Sequence, residues 1–159
     1  REVSWARRCL LETGIRIERG GDITFHGPGQ AILYPIIDLE HRSLGVKNYV
    51  SILEESVIEL LKGFGIKGER VEGATGVWIG KDTESERKIC AIGVKISRSV
   101  TMHGLALNIN TNLDAFSAIN PCGFVNKGVT SMQKELGKEV DMHMVKEKLL
   151  YHFLRLIDK

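Results

Sequence analysis

The amino-acid sequence predicts an α+β fold of two layers, in which a mixed, mostly antiparallel sheet is flanked by helices. Three observations support this prediction. A long amphipathic helix is followed by a series of short apolar segments, and two further helical segments end the chain. Helices on both sides of a run of strands favour a sheet with helices packed against it. No internal repeat or linker divides residues 1–159, so we expect a single domain.

The first forty residues predict a helix over 3–13 and a half-buried strand over 15–19, where apolar and charged residues alternate. Residues 20–30 contain four glycines and a proline, which is typical of a loop. Residues 31–39 are almost continuously apolar and predict a buried strand. Pro35 within this run indicates a bulge or a strand at the edge of the sheet.

The clearest helix lies over residues 49–64, where apolar side chains recur every three or four positions. Gly63 and Gly65 are expected to end it. The charged residues of the opposite face are predicted to lie in solvent: Glu54, Glu55, Glu59 and Lys62.

Short strands are predicted next, over residues 76–80, 88–96 and 104–110. The polar residues 81–87 between the first two are expected to form an exposed hairpin loop. A short helical turn is predicted over 114–118.

The end of the chain predicts a turn and two helices. Residues 120–123, Asn-Pro-Cys-Gly, have the composition of a turn. Helices are predicted over 130–136 and 142–157, and Asp141 is the expected N-cap of the second.

Composition excludes several classes of protein. The 159 residues carry 22 Lys and Arg against 20 Asp and Glu, a net charge of +2 that gives no reason to expect nucleic acid as a partner. No apolar run approaches the roughly 18–20 residues of a membrane span, so no membrane association is expected. Three cysteines cannot all pair within the chain, which argues against a secreted disulfide scaffold. The chain starts at Arg1 without Met, so we expect either that a leader was removed or that the sequence is a piece of a longer protein.

Two segments could carry chemistry, and each also has a purely structural interpretation. The glycine-rich residues 19–30 could let the backbone approach a ligand, or could simply connect two strands; their spacing matches no nucleotide-binding fingerprint. Cys122 lies in a turn, where a thiol could be exposed, whereas Cys9 and Cys90 lie in apolar segments and are interpreted as core residues. A lone cysteine is more often inert, and a nucleophile would need a nearby cation or base.

Lys88 could be that cation, although an ordinary lysine at the end of a strand would look the same in the sequence. Thr101 and His103 stand at alternate positions, which predicts that they share one strand face. No CxxC or HxxxH spacing supports a metal site, and none is expected.

Taken in order, several segments resemble the lipoyl(octanoyl) transferase family: RGGDITFHGPGQ, GVWIG, KICAIGVKIS, TMHGLALNIN, NPCGF and GVTSMQKELG. The resemblance runs from about Arg19 to the C-terminus. It implies the catalytic-domain fold of biotin and lipoate protein ligases. It also implies a further N-terminal segment before Arg1, as the family normally has one.

The resemblance implies that Cys122 is the acyl-accepting nucleophile and Lys88 its partner, with no cofactor. Phe25 occupies a position where the family often has Tyr. The residues expected to bind the substrate are Arg19, Gly20, Gly21, Asp22, Ile23, Thr24, Phe25, His26, Ala91, Ile92, Gly93, His103, Gly104, Leu105 and Ala106.

The activity that the resemblance implies is transfer of an octanoyl group from acyl carrier protein to a lysine of a lipoyl domain. The acceptors would be the lipoyl domains of 2-oxoacid dehydrogenase E2 subunits or the H protein of glycine cleavage. A bacterial-type cytoplasm is the expected location, with an organellar origin left open. The alternatives are an ATP-dependent lipoate or biotin ligase, and a catalytically silent module that binds acyl carrier protein.

Overall fold

A computed structural model of the protein describes residues 26–118 and 128–158. The predicted helix over 3–13, the strand over 15–19 and the turn over 120–123 lie outside these residues.

The described residues form one six-stranded sheet. Five strands pair in the order β1–β5–β4–β3–β2, all antiparallel, and β6 pairs in parallel with β4 beyond the end of β5. The sheet is therefore mixed and mostly antiparallel, as the sequence predicts. The strands are β1 (Gln30–Leu33), β2 (Glu69–Val71), β3 (Ala74–Ile79), β4 (Arg87–Ser97), β5 (Val100–Asn108) and β6 (Gly128–Val129).

The helices of the described residues are α1 (Val46–Lys62), α2 (Met132–Leu136) and α3 (Met142–Ile157), with a 3-10 turn at Leu113–Ala118. The predicted ends of α1 and α3 are confirmed. Gly63 caps α1, and the Asp141 side chain accepts hydrogen bonds from the first turn of α3.

Helices α1 and α3 pack on one face of the sheet, which confirms the two-layer arrangement. The core joins Leu53 and Val57 of α1 and Leu149 of α3 to strand residues such as Val77 and Leu107. We call the opposite face of the sheet, which carries Lys88, Ala91 and Ala106, the outer face.

Residues 31–39 do not form the continuous strand that the apolar run predicts, because β1 ends at Leu33. The Thr101 hydroxyl takes the place of ladder hydrogen bonds between Pro35 and Ile37, and backbone hydrogen bonds to β5 resume from Ile37 to Leu39. The hydroxyl donates to the carbonyl of Pro35 and accepts from the amide of Ile37, both at 2.9 Å. A proline supplies no N–H to a ladder, so the chain continues as an irregular edge.

The prediction that Glu54 lies in solvent is wrong, since only 8% of this residue is exposed. Its carboxylate accepts a hydrogen bond from the amide of Gly76 at 3.1 Å and from the Arg70 guanidinium at 3.0 Å. Both partners come from strands β2 and β3, so the charge is compensated where helix and sheet meet. Strands β2 and β6 were not expected from the sequence.

Candidate active site

A β-bulge in β4 decides which way Lys88 faces. Val77 lies opposite Cys90, but the next residue of β3, Trp78, lies opposite Lys88, so β4 carries one extra residue between the two pairs. Residues directly opposite each other in an antiparallel pair share a face, and successive residues alternate. Cys90 therefore points into the core, and Lys88 lies with Trp78 on the outer face.

The same register brings small residues to the face that carries Lys88. Ala91 lies opposite Ala106, and Gly93 follows two residues later in β4. The structure places Ile92 and Leu105 on the other face, where both pack with the core. Residues 91–93 and 104–106, both predicted to bind substrate, thus place small residues on the outer face and larger side chains in the interior.

Gly104 has a separate structural reason to be glycine. A Cβ atom there would lie 2.2 Å from the carbonyl oxygen of Leu33, so the residue permits the close approach of β1 to β5. The preceding residue, His103, has a positive φ of 61°. Its ring contacts Tyr34, whereas Thr101 is fully buried beside Ile37.

The Lys88 ammonium rests on an aromatic ring. Its Nζ lies 4.5 Å from the centroid of the Trp78 ring, a cation–π distance. The indole is itself fixed, because it is 1% exposed and its Nε1–H donates to the carbonyl of Ala74 at 2.8 Å. The lysine head group is thus held near one position rather than extended freely into water.

Gly76 makes this arrangement possible. Its φ is +124°, and a Cβ atom would lie 2.5 Å from the carbonyl oxygen of Cys90 and 3.5 Å from Cε of Lys88. Glu54 of α1 holds the Gly76 amide, as described above. A buried carboxylate of the helix layer therefore fixes the strand segment on which the Lys88 stem packs.

Strand β6 adjoins the start of β4. Val129 lies opposite Lys88, and the amide of Thr130 donates to the Lys88 carbonyl at 3.0 Å. Arg87, which precedes Lys88 in β4, forms a bidentate ion pair in which its guanidinium donates to both oxygens of Glu135. This guanidinium lowers the pKa of the Glu135 carboxyl, and the carboxylate raises the pKa of Arg87.

A polar cluster of His26, Gln30, Tyr34 and Asn108 lies around the two ends of β1. The His26 ring contacts Tyr34, with 2.7 Å between Nε2 and the phenol oxygen, and its Nδ1 lies 3.4 Å from Oε1 of Gln30. The Gln30 amide nitrogen donates to Oδ1 of Asn108 at 2.9 Å, and Nδ2 of Asn108 donates to the Thr130 carbonyl at 3.0 Å. The cluster therefore connects His26 to the residue that hydrogen-bonds the Lys88 backbone.

Sequence reasoning selected His26 and Lys88 but not the side chains that hold them. Trp78 and Tyr34 are interpreted from the sequence only as apolar strand residues, and Gln30 only as the end of a loop. The available signal was the HGPGQ segment, which places a histidine and a glutamine four residues apart.

Of the three cysteines, Cys90 is the one that lies among the described residues. Cys90 is fully buried, and burial strongly raises the pKa of its thiol, which confirms it as a core residue. Cys9 and the predicted nucleophile Cys122 lie outside the described residues. So do the predicted substrate residues Arg19, Gly20, Gly21, Asp22, Ile23, Thr24 and Phe25.

Two further features are absent from the part of the chain that the structure describes. Residues 26–118 and 128–158 contain no group of three His, Cys, Asp or Glu side chains that could hold a metal ion. No helix within the same ranges is long and apolar enough to cross a membrane.

Sequence comparison finds similarity to one enzyme family. Residues 13–154 match the family described as lipoyl protein ligase A/B catalytic domain. The chain is 60% identical over 142 residues to a protein named octanoyltransferase from Bacteroides fragilis, covering 89% of this chain and 64% of that relative. An octanoyltransferase from Bacteroides thetaiotaomicron is 53% identical over 152 residues, covering 96% of this chain and 67% of the relative. The chain thus spans about two thirds of the length of these relatives.

Solved structures show the same fold at low sequence identity. A bipartite lipoate protein ligase from Thermoplasma acidophilum superposes with a TM-score of 0.68 at 18% identity, covering 96% of this chain and 62% of that one. A biotin protein ligase from Aquifex aeolicus gives a TM-score of 0.63 at 16% identity, covering 82% and 53%. These similarities confirm the architecture.

Proposed function

Because this chain belongs to the lipoyl protein ligase A/B catalytic-domain family, we propose that it transfers an octanoyl group from acyl carrier protein to a lysine of a lipoyl domain. Cys122 is the nucleophile in this proposal and Lys88 its partner. The identity of 60% to a protein named octanoyltransferase favours transfer of an octanoyl group over the other activities of the fold.

The observation that carries the proposal is the position of Lys88 at the junction of β4 and β6. The bulge turns its side chain to the outer face, which also carries Ala91, Gly93 and Ala106. A face with small side chains leaves room for an acyl chain beside the ammonium group.

The short stretch of chain between Cys122 and β6 supports the pairing of Cys122 with Lys88 in this proposal. Cys122 precedes Gly128 by six residues, and Gly128 lies opposite Arg87 in the sheet. A chain of six residues spans at most about 20 Å, and in this proposal it brings the thiol to Lys88.

The proposed chemistry has two half-reactions. In the first, the Cys122 thiolate attacks the carbonyl of the octanoyl thioester, the new thioester forms, and the carrier thiol leaves. In the second, the lysine amine of the acceptor attacks the Cys122 thioester, an amide forms, and the Cys122 thiolate leaves. The donor is already activated, so neither step needs ATP.

A cation beside the thiol favours the thiolate, which is the reactive form. Once Lys88 has lost a proton, its neutral amine can also take up the proton that the attacking amine must lose, and return it later. Both roles require the Lys88 head group to be held in place, and the contact with Trp78 provides this.

Intact-mass spectrometry tests the proposal. Incubation with octanoyl-acyl carrier protein, without ATP, is expected to add one octanoyl group to the parent protein and none to Cys122→Ala. Cys90→Ala is the matched control and is expected to keep the adduct, because Cys90 is buried in the core. An adduct that persists in Cys122→Ala would remove this residue as the nucleophile.

The same experiment separates the alternatives. A requirement for free octanoate and ATP would favour a ligase of the lipoate or biotin type, and binding of the carrier without any adduct would favour a silent binding module. We propose lipoyl domains of E2 subunits or the glycine-cleavage H protein as acceptors, and the cytoplasm as the compartment, since the relatives are bacterial.

A further inference from the structure

Gly76 lies in an irregular part of the sheet, where β2 and β3 pair with a shifted register. Both ends of β2 lie opposite residues of β3, but between them three residues of β3 face one residue of β2, Arg70. Gly76 is the middle one of the three, so the regular ladder to β2 is interrupted at its position. A buried amide at such a point needs another acceptor, and Oε1 of Glu54 supplies it at 3.1 Å.

The same carboxylate also holds the β2 side of this irregularity. Its Oε2 accepts from Nε of Arg70 at 3.0 Å. The Nη2 group of Arg70 donates further to Glu55 at 2.7 Å and to the Ser51 carbonyl at 3.0 Å. A carboxylate only accepts, and its two oxygens can accept from two donors at once. One side chain of α1 thus joins the two strands where their pairing is interrupted.

Two contacts connect this segment of β3 to Lys88. Cε of the lysine lies 3.5 Å from the position that a Cβ of Gly76 would take. Trp78 follows two residues later in β3, and its ring carries the Lys88 ammonium at 4.5 Å from the centroid. A shift of β3 at Gly76 would therefore move both the surface on which the lysine stem packs and the ring beneath its head group.

The charged groups around this contact come from three elements: Glu54 and Glu55 from α1, Arg70 from β2, and Lys88 from β4. The Cys90 thiol of β4 senses two of them. Burial raises the pKa of this thiol most, the Lys88 charge lowers it, and the Glu54 charge raises it. The carboxylate and the ammonium thus act on one buried group from the two faces of the sheet.

We propose that Glu54 is a positioning residue for Lys88. By holding the Gly76 amide, it keeps the Lys88 ammonium over the Trp78 ring. This inference rests on the proposed function, in which Lys88 favours the reactive thiolate, and adds to it the residue that fixes where Lys88 lies. Glu54 acts only through β3, from the helix layer of the fold.

Glu54→Gln is the variant that breaks this contact with the least change of shape. An amide side chain has one oxygen and one nitrogen, so it can accept from Gly76 or from Arg70 but not from both. The charged guanidinium is the stronger donor and is expected to take the oxygen. The NH2 group then faces the Gly76 N–H, which loses its acceptor.

Removing the competing donor should restore the contact. In Glu54→Gln/Arg70→Met the amide oxygen can accept from Gly76, so this double variant is expected to return toward the parent although it has lost the ion pair. Glu55→Gln is the matched control, because it weakens a contact to the same guanidinium and leaves the bond to Gly76 in place.

The first measurement is the NMR signal of the Lys88 ε-methylene group in protein with labelled lysines, assigned by its absence in Lys88→Ala. A group over the face of an indole ring is shifted upfield, so the signal reports the position of the lysine and needs no substrate. We expect a smaller upfield shift in Glu54→Gln, and the parent shift in the double variant and in Glu55→Gln. An unchanged signal in Glu54→Gln would overturn the inference.

The second measurement is the rate of octanoyl-adduct formation at pH 7 and pH 9, without ATP. We expect Glu54→Gln to be slower at pH 7 by about 10-fold or more, since a displacement of 1 Å can cost about 10²-fold. The loss should be smaller at pH 9, where a thiol with an ordinary pKa of about 8.5 is largely ionised. A smaller folded fraction would lower both rates alike, and urea unfolding of each variant measures it.

A double-mutant cycle with Lys88→Ala shows whether Glu54 acts through the lysine. In that background Glu54→Gln should change the rate at pH 7 by less than about twofold. A full loss in the absence of Lys88, an equal loss at both pH values, or a double variant with Arg70→Met that is no faster than Glu54→Gln would each overturn the inference.

The test does not depend on one variant or on the proposed function alone. If Glu54→Gln does not fold, the double variant with Arg70→Met decides: a parent-like Lys88 signal supports the inference, and a displaced signal contradicts it. If the parent forms no octanoyl adduct, the proposed function fails, whereas the NMR comparison still decides whether Glu54 positions Lys88.

Discussion

Replacing Gly76 by alanine is expected to destabilise the protein far more than its small volume suggests. The added Cβ would lie 2.5 Å from the carbonyl oxygen of Cys90, closer than real contacts, at a φ of +124°. The conformational strain costs about 1–3 kcal/mol. Moving a backbone carbonyl within the sheet adds about 1–3 kcal/mol, as overpacking does. We therefore expect Gly76→Ala to lower the free energy of unfolding by about 2–6 kcal/mol.

Gly73→Ala is the matched control, because Gly73 also has a positive φ, +72°, but no atom lies within 4 Å of its Cβ position. It carries only the conformational cost, about 1–2 kcal/mol. Urea unfolding followed by tryptophan fluorescence measures both variants. Since Cε of Lys88 lies 3.5 Å from the same Cβ position, Gly76→Ala should also slow adduct formation, and Gly73→Ala should not. Equal losses of stability in the two variants would refute the role assigned to the close contact.

Three further predictions concern charges, a helix cap and a thiol. The lowered pKa of Glu135 means that its ion pair with Arg87 stabilises the fold above the unfolded carboxyl pKa of about 4.3 and is lost as the pH falls through the folded value; thermal melts of Glu135→Gln should therefore lose about 1.5–3 kcal/mol near neutral pH and less in acid, and a constant loss at all pH values would contradict this. Asp141→Ala should cost about 1 kcal/mol in urea unfolding by removing the N-cap of α3, whereas Asp158→Ala, which breaks only an exposed ion pair with Arg42, should cost less. Peptide mapping after thiol labelling should find Cys90 unmodified in the native protein and modified in urea, and native labelling would contradict its burial.

The elements that the sequence predicted well are those with local signals. Helices α1 and α3 extend for four turns or more, so the spacing of apolar residues repeats often enough to be read. The caps at Gly63 and Asp141 act within one turn of the residues they cap, and they were predicted correctly.

The features that could not be predicted depend on partners distant in the sequence. The bulge that turns Lys88 to the outer face exists only because β4 pairs with β3 in a shifted register. Glu54 is buried because the Gly76 amide meets it, 22 residues away in the chain. Strand β6 has two residues, too few to show an alternating pattern.

The candidate site also contains residues that the sequence selects and contacts that only the fold reveals. His26 and Lys88 were selected because the chain resembles a known family, but residue types alone left Lys88 equivalent to any lysine at a strand end. Its contact with Trp78 and the amide chain from Gln30 to Thr130 required the fold, because they join four different strand segments.

The most direct test of the central claim is the rate of octanoyl-adduct formation in Lys88→Ala, relative to the parent, at pH 7 and pH 9 without ATP. If Lys88 favours the Cys122 thiolate, its loss should slow the reaction strongly at pH 7 and much less at pH 9, where a thiol with an ordinary pKa of about 8.5 is largely ionised. The same fractional loss at both pH values would contradict this role and leave Lys88 with packing or substrate positioning alone.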